Sequence, residues 1–254
     1  MYDFHQSIAL ALKRKYTKKV QNAKYKLHTE LKGSYLMTYE EIRGDHAVNV
    51  YIAQADITME ALGFTEHSFP HVTRVAKAAG DILLALGHPQ REVELAKIAG
   101  FLHDIGNVVN RVDHSQSGAV MAFRILDRMD FPPEEIAAIV SAIGNHDEGT
   151  GVPVSALAAA LILADKSDVR RSRVRKKEDI ESDIHDRVNY AVTDSSLMVF
   201  SQEGQILLEL TIDTGISAVM DYFEIFMKRM LLCRKAAQKL GCTFHLKING
   251  QIVA

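Results

Sequence analysis

Apolar residues recur at every third or fourth position through most of the chain, which is the spacing of one face of an α-helix. The first two predicted helices show it clearly, with Val48, Ile52, Ala55 and Met59 in one and Val72 to Leu86 in the other. Further helices are predicted at about 91–104, 115–129, 133–145 and 153–168. Residues 45–193 are therefore predicted to form one helical bundle.

The pattern changes after about Asp194, where the apolar residues fall into short runs between turn residues. "SLMVFS" and "QILLELTI" flank Glu203-Gly204, and "CTFHLKI" and "QIVA" flank Asn249-Gly250, so each pair predicts a β-hairpin. Between them, helical spacing runs from Ile216 to Leu240. The fold class is therefore predicted as mainly α, with a small C-terminal α+β unit of ββαββ order over residues 194–254.

This C-terminal unit is too small to be very stable alone, so we expect it to pack on the bundle or on a second subunit as a homodimer. Its second strand should bury one face through alternate residues, and its helix should cover the sheet. The residues predicted for the covering face of the helix are Val219, Phe223, Phe226, Met227 and Met230.

Residues 4–32 hold eight Lys or Arg residues against one acidic residue, Glu30. We predict an N-terminal helical extension over residues 1–44 whose basic side chains form a solvated face. The whole chain is nearly neutral, with 30 basic and 32 acidic residues among 254. Its net charge therefore does not favour nucleic acid or a membrane as a partner.

The chain contains no apolar stretch long enough for a membrane-spanning helix and no signal-peptide pattern at its N-terminus. Its two cysteines, Cys233 and Cys242, form no zinc-binding pattern. We therefore expect a cytoplasmic protein with reduced thiols and no membrane partner.

Six residues with ionisable side chains stand in or beside apolar helical sequence: His71, His103, Asp104, His114, His146 and Asp165. Taken singly, a buried histidine is most often a hydrogen-bonded core residue. Together, imidazole nitrogens and carboxylate oxygens suit Mn²⁺, Fe²⁺ or Zn²⁺, and the lack of thiolates argues against a structural zinc site. Because these residues come from five different helical segments, they can meet only at the centre of the bundle.

The chain resembles the HD-domain metal-dependent phosphohydrolase superfamily, whose signature is His, then His-Asp, then a distant Asp. Here these are His71 in "HVTRV", His103 and Asp104 in "LHDIGN", and Asp165 in "LADKSDVRR". "HSQSGA" at 114–119 and "AIGNHDEGTG" at 142–151 look like the segments that supply further histidines in the two-metal branch. That branch includes the HD-type diadenosine tetraphosphate hydrolases, to which this chain is similar, and the HD-GYP cyclic-dinucleotide phosphodiesterases.

The resemblance implies a centre of two divalent ions, Mn or Fe, with Mg, Zn, Ni or Co as other candidates. His71, His103, Asp104 and Asp165 would hold the first ion, and His114 and His146 the second, with Asp104 bridging. Such a centre activates water for hydrolysis of a phosphoester or phosphoanhydride. The implied substrate is a nucleotide or another small phosphorylated molecule.

The sequence departs from the two-metal pattern in two respects. Asn107 follows "HDIG" where many members have lysine, and "GYP" is missing after "NHDEGTG", which argues against a cyclic-di-GMP phosphodiesterase. A basic side chain elsewhere would have to supply the lost charge. The predicted catalytic residues are therefore Asp104 with Lys166 and Arg170, and Arg171 and Arg111 are alternative cations.

Two neighbouring segments leave alternatives open. "RRSRVRKK" at 170–177 is either an electrostatic rim for an anionic substrate or a solvated loop that pairs with the acidic stretch behind it. Asp147 or Glu148, beside His146, could orient a ligand or act as general acid.

Two other functions also fit the motifs. The first is a nucleotide-binding sensor with a degenerate HD site, which Asn107 favours. The second is a di-iron oxygenase, because some HD-fold oxygenases resemble this ligand set.

Overall fold

The computed structural model of the protein describes residues 36–175, 180 and 183–253. The described residues from Thr38 onward belong to one compact unit. Its helices are α1 (Tyr39–Gly44), α2 (His46–Ala61), α3 (Phe69–Ala85), α4 (Gln90–Leu102), α5 (His114–Arg128), α6 (Pro133–Gly144), α7 (Ala156–Lys166), α8 (Ile184–Ala191) and α9 (Val219–Lys239). Two 3₁₀ turns cover Ile105–Val108 and Arg171–Arg173, and the strands are β1 (Val192–Phe200), β2 (Gln205–Ile212), β3 (Thr243–Ile248) and β4 (Gln251–Ile252).

The predicted fold class is confirmed: a helical bundle is followed by a small unit with two strands, a helix and two strands. The predicted N-terminal extension, residues 1–44, lies outside the described residues except for its last part, which includes α1. Within the described part of the chain, no helix is long and apolar enough to cross a bilayer.

Helix α7 lies at the centre of the bundle, in contact with α3, α4, α6 and α9. All its residues from Leu157 to Ala164 are buried, as expected of a helix that is apolar around its whole circumference. Ser155 caps its first turn, accepting a hydrogen bond from the Ala158 amide at 3.1 Å. The opposite end of α7 carries Asp165, so the same helix builds the core and delivers a predicted metal ligand.

The four strands form one sheet in the order β1-β2-β3-β4. β1 and β2 form an antiparallel hairpin, whereas β2 and β3 are parallel because α9 connects them. The β3–β4 turn has positive φ at both Asn249 and Gly250, a conformation for which an Asn-Gly pair is well suited. The predicted inward face of β2 is buried: Ile206, Leu208, Leu210 and Ile212.

Helix α9 contacts the strands β2 and β3 and also the bundle helix α7. The prediction for its buried face was therefore partly wrong. Phe226 and Met230 are buried as expected, but Met227 is 45% exposed, contrary to the prediction. Tyr222, on another part of the helix surface, is fully buried, which agrees with the expectation that this unit packs on a second surface. A helix held between two partners buries more than one stripe of its surface.

Candidate metal centre

The ends of five helices bring the six predicted ligands together. His71 lies in the first turn of α3, His103 and Asp104 directly follow α4, His114 begins α5, His146 follows α6, and Asp165 lies in the last turn of α7. Asp104 and the four histidines are buried. The Asp165 side chain is 12% exposed. The helix ends thus form one polar cluster inside an apolar bundle.

Asp104 lies between two pairs of histidines. Its Oδ2 atom is 3.5 Å from His71 Nε2 and 3.3 Å from His103 Nε2. Its Oδ1 atom is 3.4 Å from His114 Nε2 and 4.0 Å from His146 Nε2. Each carboxylate oxygen therefore faces its own pair, as a carboxylate that bridges two cations must.

Asp165 adds a second carboxylate on the Oδ2 side of Asp104. Its Oδ1 atom is 3.5 Å from His71 Nε2 and 3.6 Å from His103 Nε2. Two sets of three ligand atoms lie within 4.8 Å of one another: His71, His103 and Asp165 in one, and His103, Asp104 and His146 in the other.

The four histidines all turn Nε2 toward the cluster because their Nδ1 atoms have oxygen partners outside it. Carbonyl and carboxylate oxygens only accept hydrogen bonds, so Nδ1 carries the proton and Nε2 of a neutral ring is a free ligand atom. The Nδ1 partners are Asp168 Oδ2 at 2.7 Å for His71, Gly100 O at 2.8 Å for His103, Arg111 O at 3.1 Å for His114 and Ile143 O at 2.6 Å for His146.

The inward nitrogens of the cluster fit a bound cation. Nε2 of His71 and Nε2 of His103 are buried without a hydrogen-bond partner, which is costly for polar atoms that have nothing to bind. Nε2 of His114 and Nε2 of His146 are 3.2 Å apart, and two lone pairs at that distance repel unless a cation or proton lies between them. Nitrogen and carboxylate donors in this number suit one or two divalent transition-metal ions.

The two histidine pairs differ in their affinity for protons. Burial opposes the charged form of His103, but the carboxylates of Asp104 and Asp165 outweigh it and raise the pKa of His103 to about 10. The pKa of His146 is lowered to about 3 by burial and by the nearby charges of His103 and Lys166. Without metal, the His103 side of the cluster therefore holds protons, and the His146 side stays neutral.

Asn107, which stands where many two-metal members have lysine, closes the turn after Asp104. Its buried amide donates from Nδ2 to the Asp104 carbonyl oxygen at 3.0 Å. Its Oδ1 atom accepts a 3.4 Å hydrogen bond from Arg111 Nη1, which is 3.9 Å from Asp104 Oδ1. Arg111 therefore brings a positive charge to the cluster beside Asn107.

Lys166, predicted as catalytic, is buried between two carboxylates. Its Nζ atom is 2.7 Å from Asp165 Oδ2 and 2.6 Å from Glu148 Oε2. Glu148, predicted as a possible orienting residue or general acid, also accepts a hydrogen bond from Arg229 at 2.9 Å. The sequence carries no signal for Arg229, because it lies on the C-terminal helix, 81 positions after Glu148.

Arg170, the other predicted catalytic cation, reaches the cluster through a residue that the sequence did not single out. Its Nε atom is 2.9 Å from Asp168 Oδ1, and its Nη2 atom is 3.0 Å from Glu66 Oε2. Asp168 in turn accepts from His71 Nδ1. The only sequence signal for Asp168 was a second carboxylate three positions after Asp165.

The described part of the basic run, residues 170–175, is bound to the body of the fold. Apart from those of Arg170, its contacts include those from Arg171 to the Tyr190 carbonyl at 2.6 Å, from Arg173 to the carbonyls of Glu66 at 2.9 Å and Asp168 at 2.8 Å, and from Arg175 to the Asp56 carboxylate. Lys176 and Lys177 lie outside the described residues. These arginines anchor the segment that follows Asp165, a role that neither sequence interpretation included.

Residues 69–187 match the family model of the HD domain. This segment contains all six predicted ligands and ends within α8. Residues 69–187 therefore form an HD domain, in the part of the chain where the motifs predicted it.

Two proteins are similar to parts of this chain. An uncharacterized protein of Methanocaldococcus jannaschii is 27% identical over 168 residues, which cover 57% of this chain and 64% of that protein. The crystal structure of a predicted HD superfamily hydrolase from an uncultured Thermotogales bacterium is 26% identical, with a TM-score of 0.40, over 49% of this chain and 67% of that one. The chain thus spans less than two thirds of its archaeal relative.

Proposed function

We propose that the protein is a metal-dependent phosphohydrolase that cleaves a phosphoester or phosphoanhydride of a nucleotide or another small phosphorylated molecule. The observation that carries the proposal is the arrangement at Asp104, whose two oxygens face two separate histidine pairs at 3.3 to 4.0 Å. Two divalent cations, Mn or Fe, are proposed for this centre. The protein is further proposed to act in the cytoplasm as a homodimer.

Divalent ions held by the six side chains would polarise a phosphoryl oxygen and lower the pKa of a water molecule toward neutrality. The protein contributes a fixed set of ligands: Nδ1 hydrogen bonds hold the imidazoles of His71 and His103, and the burial of Asp104 excludes competing solvent. Glu148, paired with Lys166, is already ionised and is therefore poorly suited as a general acid.

Among the candidate cations for the substrate phosphate, Arg111 is best suited. Lys166 is neutralised by two carboxylates, and Arg170 likewise pairs with two. The Arg111 guanidinium instead donates to the neutral amide of Asn107, lies 3.9 Å from Asp104 and remains 23% exposed. Its charge is therefore available to an incoming anion.

The Arg111 assignment is tested by kinetics on an active phosphoester. Arg111→Ala should raise KM by about tenfold or more, the loss expected for one charged hydrogen bond, and Arg111→Lys should recover part of it. Arg124→Ala, on the exposed face of α5, serves as the control. If KM and kcat were unchanged in Arg111→Ala, Arg111 would not be the cation that binds the substrate phosphate.

The proposed activity is tested on protein purified without chelator. We expect metal analysis to find Mn or Fe near two ions per chain, and a panel of nucleotides and phosphoesters supplied with Mn²⁺, Fe²⁺ or Mg²⁺ to yield phosphate or a phosphomonoester. Full metal occupancy without cleavage of any phosphoester would reject the hydrolase.

A nucleotide-binding sensor is the second candidate function. It is favoured by Asn107, whose amide is engaged with the Asp104 carbonyl and carries no charge. Tight nucleotide binding without turnover in the same panel would support the sensor.

A further inference from the structure

Four charged side chains form a continuous chain from the C-terminal helix α9 to the candidate metal centre. Arg229 Nε is 2.9 Å from Glu148 Oε1. Glu148 Oε2 is 2.6 Å from Lys166 Nζ, which is 2.7 Å from Asp165 Oδ2. The charges alternate along the chain, so each contact is attractive.

Both carboxylates in this chain use their two oxygens for different partners. Asp165 turns Oδ2 to Lys166 and Oδ1 to the Nε2 atoms of His71 and His103. Glu148 turns Oε2 to Lys166 and Oε1 to Arg229. Two fixed contacts on one carboxylate determine its rotation, so the orientation of Asp165 depends on where Lys166 is held.

Because Lys166 is buried, it cannot exchange these contacts for contacts with water. The Lys166 side chain is only 4% exposed, and an ammonium group removed from water needs charged partners. The Arg229 side chain, 23% exposed, has its guanidinium carbon 4.5 Å from the centre of the Phe226 ring. Phe226 is 1% exposed, so its ring is fixed by packing and holds the Arg229 guanidinium in place beside Glu148.

We propose that Arg229 is a positioning residue for the candidate metal centre, acting through Glu148 and Lys166 on the carboxylate of Asp165. This inference rests on the proposed metal centre. The C-terminal unit then supplies no metal ligand but contributes to metal affinity through a residue on its helix.

The direction in which metal affinity changes when Arg229 is replaced distinguishes a positioning role from a long-range effect of its charge. Removing a positive charge near a cation site should strengthen cation binding slightly, and salt should screen that effect. Removing a positioning residue should weaken binding, because Glu148 and Lys166 lose their fixed geometry. The two explanations therefore predict opposite changes in affinity.

The experiment is calorimetric titration of the full-length, metal-free protein with Mn²⁺, which needs no knowledge of the substrate. Arg229→Met should weaken Mn²⁺ binding by about tenfold, the lower end of the range for residues that orient metal ligands. Arg229→Lys, which keeps the charge, should recover most of the affinity. The matched control is Arg234→Met, an exposed arginine on the same helix, which should leave affinity unchanged.

Two further variants separate positioning from general loss of packing. Met230→Ala removes a buried side chain of α9, so it should lower thermal stability without changing Mn²⁺ affinity. Glu148→Gln combined with Arg229→Met should weaken binding less than the sum of the single effects, because both break the same chain.

The possible results lead to different conclusions. Normal or tighter Mn²⁺ binding by Arg229→Met, with the wild-type protein binding Mn²⁺, would overturn this inference and leave the proposed function intact. A wild-type protein that binds no Mn²⁺, Fe²⁺ or Mg²⁺ would overturn the metal centre itself and this inference with it. Loss of affinity in Met230→Ala equal to that in Arg229→Met would also overturn the positioning role.

Discussion

The side chain of Asp104 is charged even before a metal binds. Burial alone would raise the pKa of Asp104, but the histidines around it, His103 first among them, hold that pKa well below its ordinary value. A buried carboxylate in contact with imidazoles is thus ready to accept a cation in exchange for the protons on the rings.

Replacing Asp104 tests its assignment to both ions. Asp104→Asn keeps the shape of the side chain and removes its charge, so we expect loss of nearly all bound metal and of activity. Metal analysis of the purified variant measures this, and circular dichroism should show retained helices. Asp127→Asn, on an exposed acid of α5, is the control, and wild-type metal content in Asp104→Asn would contradict the assignment.

Replacing either histidine on the Oδ1 side of Asp104 tests whether the centre holds two ions. His114→Ala or His146→Ala should lower bound metal toward one equivalent, because His71, His103 and Asp165 remain as a separate set. Metal analysis with quantified protein checks the stoichiometry. Unchanged stoichiometry in both variants would argue for a mononuclear centre.

Cys233 offers a residue-scale test of burial in α9. Burial raises the pKa of its thiol to about 12, so almost no thiolate forms near neutral pH. We expect Cys233 to resist thiol reagents at pH 8 in the native protein and to react after unfolding. Peptide mapping after labelling gives the result, and rapid native labelling of Cys233 would show that α9 does not pack as described.

At the scale of elements, the turn that joins α4 to α5 packs closely against α5 at Gly106. A Cβ atom on Gly106 would lie 2.0 Å from the His114 carbonyl oxygen and 2.4 Å from the Gly118 amide nitrogen. Only glycine therefore lets the Asp104 turn approach the helix that carries His114.

Substitution at this glycine should disturb both folding and metal binding. Gly106→Ala should cost about 3 kcal/mol or more in the free energy of unfolding, because backbone atoms must move to admit the methyl group. Denaturant unfolding measures the loss. Gly144→Ala, where the nearest atom would be 3.7 Å away, is the matched control and should be close to neutral.

The spacing of apolar residues predicted most helices, because a bundle helix that packs on one side has its apolar residues at every third or fourth position. Helix α3 illustrates this, since Val72, Val75, Ala76 and Ala79 are all buried. The prediction for α9 was wrong at Met227, which was placed on the covering face but is 45% exposed. The six candidate ligands could be picked out from the sequence because their motifs are local, whereas Asp168 and Arg229 are linked to the cluster only through contacts made by folding.

At the scale of the whole molecule, the C-terminal unit and the bundle share an interface rather than a linker. Helix α9 contacts α7, and Ser195 of β1 donates a 2.7 Å hydrogen bond to the Ser167 carbonyl, two residues after Asp165. The predicted division at residue 194 and the homodimer stay predictions. The shared interface nevertheless implies that loss of the sheet would lower the stability of the bundle.

A substitution that leaves a cavity beside the sheet tests whether the C-terminal unit and the bundle unfold in one cooperative transition. Leu246→Ala, on β3, removes a fully buried side chain and should cost about 2–5 kcal/mol. Because most helices belong to the bundle, circular dichroism reports mainly on the bundle, and we expect one transition moved to lower denaturant. Ile252→Ala on β4, 61% exposed, should change little. The contrary result would be two separate transitions, of which the larger, reported by the helical signal, keeps its wild-type midpoint in Leu246→Ala. That result would show that the C-terminal unit folds on its own and does not stabilise the bundle.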